Sequence, residues 1–159
     1  MQLLLASCQK GGKHFGSHSI DYPDFCKFRN FINSVLFARN SIQSLRLICG
    51  FINGFDLDDF NLILYAASLK GIHELDVRLY SPYSSHLPNC LYSCRTLVTL
   101  KLRNATLNCS SCGVDFPLLK SLYLDLVIFR SSCYFFKFFR GCPNLEDVYA
   151  RALTISDIT

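Results

Sequence analysis

No stretch of the sequence reaches the ~18 consecutive apolar residues of a membrane-spanning helix. No run of lysine and arginine exceeds two residues, and the net charge is only +4. A nucleic-acid-binding domain concentrates its basic residues in one patch, so neither membrane nor nucleic acid is an expected partner. No basic segment precedes the apolar run Leu3–Ala6, which is far shorter than the ~7–15 residues of a signal-peptide core. Leu-Ala-Ser before Cys8 matches a lipoprotein cleavage box, but without those flanks it predicts no export. The sequons at Asn104 and Asn108 therefore carry no expected glycan. Gly11-Gly12-Lys13 lacks the Ser/Thr and the spacing of a phosphate-binding loop. His73 and His86 stand alone, and no nucleophile, base and orienting acid form a recognisable set. No catalytic residue is assigned, and no cofactor is expected.

What is present is a core. Half of the residues are apolar and 18% are charged, which argues against disorder. A chain of 159 residues predicts one domain that fills its interior without metal or disulfides. Its nine cysteines are odd in number and irregular in spacing. They read mostly as reduced, buried small apolar residues of a cytoplasmic or nuclear protein.

A repeat organises the chain. Ile42-Gln-Ser-Leu-Arg-Leu-Ile, Ile72-His-Glu-Leu-Asp-Val-Arg and Leu97-Val-Thr-Leu-Lys-Leu-Arg share one pattern, apolar-x-x-apolar-x-apolar-x. Leu119-Lys-Ser-Leu-Tyr-Leu-Asp and Leu145-Glu-Asp-Val-Tyr-Ala-Arg repeat it, with starts 30, 25, 22 and 26 residues apart. The third continues as L-x-x-L-x-L-x-x-A-x-L through Leu107, with Ala105 where a leucine-rich repeat usually has Asn or Cys. Side chains alternate faces along a strand. Leu100 and Leu102 therefore point inward, Thr99, Lys101 and Arg103 point outward, and Leu97 closes the preceding turn. No single coil of this kind buries its apolar side alone, so about three are needed, and five are present. The expected fold is α/β: a short leucine-rich-repeat solenoid with a parallel sheet on one face and helices or 3₁₀ turns on the other. Strands are expected near 43–48, 73–78, 98–103, 120–125 and 146–151.

The connecting segments carry helical signals. Asp24 to Arg39 has an apolar stripe at 25, 28, 31, 32, 35 and 36. Asp56 to Lys70 begins with Asp56 or Asp58 as a cap and ends at Gly71. Tyr134 to Arg140 is a short apolar helix ended by Gly141 and Pro143. The linkers after Val77 and Leu102 are too short for helices and predict 3₁₀ or irregular crossings. Residues 1–20 show no period and include Gly11-Gly12. A poorly ordered segment 1–23 and a repeat domain 24–159 are the expected division.

These phrases resemble a known family. Leu87-Pro88, Leu91, Cys94 and Thr96–Leu102 are similar to the "LP..L..C.TLV.LKL" of plant F-box/LRR proteins, the group that often carries an FBD domain. Phe116-Pro117-Leu118, Leu119-Lys120, Leu122, Leu124, Val127 and Phe129 follow in the family's order, then Gly141-Cys142-Pro143 and Leu145-Glu146. The resemblance covers about residues 24–151. It implies a substrate-recognition role in a cullin ubiquitin ligase. In the family, that role needs an F-box of about forty residues that docks on the Skp adaptor. Residues 1–23 have no LP-x-E/D-x-L-L start, and the chain has no tryptophan for the Trp-rich link that often follows. Skp and cullin are therefore expected partners only if an F-box is supplied elsewhere. The alternative is a truncated or degenerate fragment without independent activity.

A second alternative is a small zinc protein. Cys90, Cys94, Cys109 and Cys112 run as C-x3-C, a gap of fourteen, then C-x2-C, near the spacing of a zinc ribbon. The intervening segment has a strand pattern, and seven strand residues separate its ends by roughly 23 Å. Cys94 also falls at a typical family position, and Cys109 where an apolar residue is common, so both read as packing residues. His14 and His18, four apart, could share a metal with Cys8 and Cys26, but His14 to His18 lies in a Gly/Ser-rich stretch without helical support, and the histidines read as solvated. No metal ligand is assigned.

The outward face of the strands remains. Alternation places Ser44, Arg46, Ile48, Glu74, Asp76, Arg78, Thr99, Lys101 and Arg103 there. Ser121, Tyr123, Asp125, Asp147, Tyr149 and Arg151 complete it. Solenoids bind partners on this concave side, and Arg and Tyr are enriched among binding hot spots. An unidentified protein target is expected to meet Arg46, Arg78, Lys101, Arg103, Tyr123, Tyr149 and Arg151. The basic groups would pair with its carboxylates.

Overall fold

The structure, a computed structural model, describes residues 2–6, 42–49, 57–79, 87–108 and 113–157. The helical stripe of Asp24 to Arg39 lies outside the described residues, as do Cys8, His14, His18, Cys26, His86, Cys109 and Cys112. Among the described residues the architecture is α/β, a parallel sheet with few helices.

The sheet has six strands in chain order: β1 (Gln2–Ala6), β2 (Ser44–Cys49), β3 (Glu74–Leu79), β4 (Thr99–Arg103), β6 (Ser121–Asp125) and β8 (Asp147–Arg151). A second, three-stranded sheet lines up β5 (Thr106–Leu107), β7 (Ile128–Phe129) and β9 (Thr154–Ile155). Every pairing among the described residues is parallel. Two helices are described, α1 (Leu57–Leu69) and α2 (Ser132–Arg140), with a 3₁₀ turn over Asn89–Ser93. The N-terminal stretch carries no repeat signature, yet Gln2–Ala6 pairs in register with Ser44–Ile48. An edge strand is held by the backbone of its neighbour, and five residues are too few to announce a period.

The L-x-x-L-x-L leucines build the core in ranks. Leu45, Leu75, Leu100 and Leu122 stand opposite one another across four strands, and all are buried. Leu47, Val77, Leu102 and Leu124 form the next rank, also buried. Ile42, Ile72, Leu97 and Leu119 close the turns in front of the strands and are buried too. Each fully buried side chain of this size contributes about 1.5–3 kcal/mol relative to exposure, so these ranks dominate the stability of the sheet. On β8 the same inner positions are Val148, 51% exposed, and Ala150, also exposed.

Backbone bonds repeat with the same period. The carbonyl of Gln43 accepts from both His73 N–H and Glu74 N–H, 3.0 Å each. His73, Val98 and Lys120 carbonyls do the same for the next coil, at 2.8–3.2 Å. Side chains reinforce the turns: Thr96 Oγ1 donates to the Ile72 carbonyl at 2.8 Å, and Asn144 Nδ2 to the Pro117 carbonyl at 2.7 Å.

After β4, β6 and β8 the chain turns through one left-handed residue: Asn104 (φ 57), Leu126 (φ 55) and Ala152 (φ 50). Asn tolerates this region, whereas Leu and Ala are strained there. The corner lets Asn104 N–H reach the Asp125 carbonyl and Leu126 N–H reach the Arg151 carbonyl, 2.8 and 2.9 Å. The backbone then drops into β5, β7 or β9. Ala105 is buried at the usual Asn/Cys place, and its carbonyl is satisfied by Ile128 N–H at 3.0 Å.

The helices cover the inner face. α1 buries Phe60, Ile63, Leu64, Ala66 and Ala67 and ends at Gly71, whose φ of 70 suits glycine. α2 starts at Ser131, whose hydroxyl accepts from Tyr134 N–H. Phe138 from α2 meets Phe116 and Phe129 edge-on, ring centroids 5.8 Å apart in both pairs. Gly141 follows with an ordinary φ of −79. Its constraint is space: a Cβ there would lie 2.3 Å from the Val114 carbonyl oxygen.

Candidate partner-binding face

The register of the sheet stacks the outward residues in three rows. Near the strand starts lie Ser44, Glu74, Thr99, Ser121 and Asp147. The middle row is Arg46, Asp76, Lys101, Tyr123 and Tyr149. The end row is Ile48, Arg78, Arg103, Asp125 and Arg151. Of these residues only Asp76 is buried. All seven expected contact residues, Arg46, Arg78, Lys101, Arg103, Tyr123, Tyr149 and Arg151, therefore share one face.

Two carboxylates change what the arginines can do. Asp76, with 12% of its side chain exposed, lies between Arg46 and Arg78. Arg46 Nε donates to its Oδ2 at 2.9 Å, while Arg78 donates through Nε and Nη2 at 3.2 Å each. Asp125, 19% exposed, lies between Arg103 and Arg151. Arg151 grips it with Nε and Nη2, 2.8 Å each. Arg103 Nε stands 3.4 Å away without a hydrogen bond. The Arg151 hydrogen bond holds the Asp125 carboxyl below the usual carboxylate range, and burial opposes it only in part. Partly exposed pairs of this kind contribute little to stability. Their effect is to hold long side chains in one geometry.

Asp76 and Asp125 are the residues that sequence reasoning left out of the contact set. The signal was available. Once the five segments are aligned, Asp125 falls between Arg103 and Arg151, and Asp76 falls beside Arg46 and two residues before Arg78.

Lys101 is different. Among the described residues no carboxylate pairs with it, and its Nζ lies 4.9 Å from the Tyr123 ring centroid. Tyr123 in turn lies beside Tyr149, centroids 6.2 Å apart. The two rings are 40% and 53% exposed. The middle row thus ends in a connected Lys–Tyr–Tyr surface.

The cysteines do not join this face. Cys94 is buried, with Sγ 3.7 Å from Thr96 Oγ1, and it packs as the family position implies. Cys90 is half-buried on the 3₁₀ turn, and burial pushes its thiol up. Among the described residues no three His, Cys, Asp or Glu groups converge on a metal site. Asn104, the first sequon position, donates its Nδ2 to the Leu79 carbonyl at 2.9 Å. No described helix is long and apolar enough to cross a membrane.

Comparison with known proteins agrees with the geometry. Residues 61–156 match the family described as "FBD-associated F-box protein At5g56370, LRR repeats". FBD-associated F-box protein At5g56380 of Arabidopsis thaliana is 33% identical over 133 residues, spanning 80% of this chain and 29% of the relative. F-box protein At4g09920 of the same plant is 31% identical over 153 residues, spanning 91% of this chain and 46% of the relative. The chain spans less than half the length of these curated relatives. No solved structure matches it. With most of its length inside the matched region, the chain belongs to the leucine-rich-repeat family of FBD-associated F-box proteins.

Proposed function

We propose that this chain is a protein-recognition module, a short leucine-rich-repeat solenoid that binds a partner protein on the concave, outward face of its parallel sheet. One observation carries this reading. Lys101, Tyr123 and Tyr149 form a continuous exposed surface on adjacent strands, while the carboxylates beside it are held by arginines. Half-exposed tyrosines supply rigid area at low entropic cost, and pre-ordered side chains lose little freedom on binding. The module has no chemistry of its own in this reading.

Its relatives are named as F-box proteins. That supports a role as the target-choosing region of a ubiquitin-ligase subunit, with the Skp adaptor and cullin engaged through an F-box supplied elsewhere. The cytoplasm or nucleus is the corresponding location.

The test is site-directed photocrosslinking with the full chain. A crosslinker at Tyr149 should capture a protein that one at Tyr65, on the exposed side of α1, does not. The same capture, with the crosslinker kept at Tyr149, should vanish in Lys101→Ala/Tyr123→Ser. Capture that ignores the double substitution would sink the assignment. For the ligase role, purified Skp adaptor should bind the chain only when an F-box is fused to it.

A further inference from the structure

On β4, Lys101 and Arg103 are two residues apart on the same outward face. Neither side chain makes a hydrogen bond among the described residues: Lys101 lies over the Tyr123 ring, and Arg103 touches Asp125 only as an ion pair at 3.4 Å. Arg151 takes both oxygens of that carboxylate at 2.8 Å. Lys101, Arg103, Arg151 and Asp125 together carry +2 by formal count, and Asp76, beside Lys101 on β3, is offset by Arg46 and Arg78. The ammonium and the Arg103 guanidinium keep their strong donors for an outside acceptor.

We infer that this patch binds an extended acidic peptide segment whose carboxylates alternate, one at each second residue. The inference rests on the concave-face reading and names its ligand class. Residues i and i+2 of an extended chain are about 6.6–6.8 Å apart and point the same way. Lys101 and Arg103 repeat at that interval along β4. A peptide lying along the strand presents Asp or Glu to both at once. Tyr123 on the adjacent strand β6, with Tyr149 beyond it on β8, borders that line on one side. A polyanion with uniform charge fits worse, because Asp125 lies within the patch and Glu74 and Asp147 lie in the row beside it.

The experiment screens a displayed library of random peptides against the full 159-residue chain, then measures synthetic copies of the enriched sequences. Enriched peptides should carry Asp or Glu at alternating positions. Their affinity should fall about tenfold or more with Lys101→Glu, and again with Arg103→Glu, as expected for a lost charge-assisted contact. Lys101→Gln removes the charge alone and should give a smaller loss in the same direction, even where a charge reversal disturbs folding. Peptides without alternating acids, bound in a Tyr149-dependent way, would overturn the acidic class and leave the concave-face reading standing. Peptides whose binding ignores Lys101, Arg103 and Tyr149 alike would overturn both. Displacement of the enriched peptides by homopolymer RNA would reassign the patch to phosphate and overturn the peptide class.

Discussion

Arg151 holds Asp125 across the last two strands of the large sheet through two parallel hydrogen bonds, each 2.8 Å. The two residues are direct register partners. This fork fastens β8, whose outward and inward side chains are all exposed, to the well-buried β6. Hydrophobic cover is thin on β8, so directional contacts take a larger share there.

The fork makes stability acid-sensitive. Arg151 keeps the Asp125 pKa below its ordinary value. A carboxylate depressed in the folded state contributes stability that is complete above its unfolded pKa, near 3.9. That contribution disappears as pH falls further, through the folded value. Thermal melts between about pH 5 and pH 2 should show a falling midpoint. Asp125→Asn should flatten that limb while leaving the core melt cooperative. An unchanged slope would show that other carboxylates control it.

The three left-handed corners predict opposite outcomes for similar substitutions. Leu126 is strained at φ 55 and 45% exposed. Leu126→Asn should stabilise by about 0.5–1 kcal/mol, less than the 1–2 kcal/mol of the strain because some apolar contact is lost. Asn104→Ala should destabilise by about 1–2 kcal/mol, because it strains the corner and leaves the Leu79 carbonyl without its Nδ2 donor. Denaturant titrations of both variants decide the matter, and equal signs would count against the corner argument.

Gly141 is needed for closeness rather than for its torsion. Gly141→Ala would push a methyl against Val114, whose own Cβ is 2.6 Å from the new atom, and against the carbonyl beside it. The Phe116 N–H to Gly141 carbonyl bond, 2.8 Å, resists the shift that would relieve the clash. A loss of about 1–3 kcal/mol is expected from overpacking, read as a lower midpoint in urea. A neutral result would mean that the Val114 segment moves freely.

The cysteines should separate by reactivity. Cys142 is buried, donates to the Phe138 carbonyl, and burial pushes its thiol up to about 12. That leaves it about a thousandfold less ionised than an ordinary thiol. Cys133 is exposed at the start of α2. Brief alkylation of the native chain, followed by peptide mass mapping, should label Cys133 and spare Cys142 until denaturant is added. Early labelling of Cys142 would show that α2 opens readily.

Several features are legible in the amino-acid order alone. The five apolar-x-x-apolar-x-apolar segments each contain one strand of the large sheet, and the inward leucines are those that alternation points inward. Gly71 ends α1, and Ser132–Arg140 contains the expected short helix. The small sheet of β5, β7 and β9 is not legible, because two-residue strands have no period to display. Nor is β1, whose pairing is supplied by the backbone of β2.

The sequence by itself determined which side chains point to each face of the sheet, because alternation along a strand is a local property of the backbone. It also determined that the strands recur, through near-constant spacing of one short pattern. Only the tertiary structure decided which of the outward charges remain available. Asp76 meets Arg46, and Asp125 meets Arg103 and Arg151, across strands from segments 22 to 30 residues apart, and that meeting depends on register between strands. The register sets Asp76 beside Lys101, but Arg46 and Arg78 take that carboxylate, so Lys101 pairs with no carboxylate among the described residues and lies over Tyr123. The composition of the face is therefore written locally, and its chemistry is set by how the strands pair.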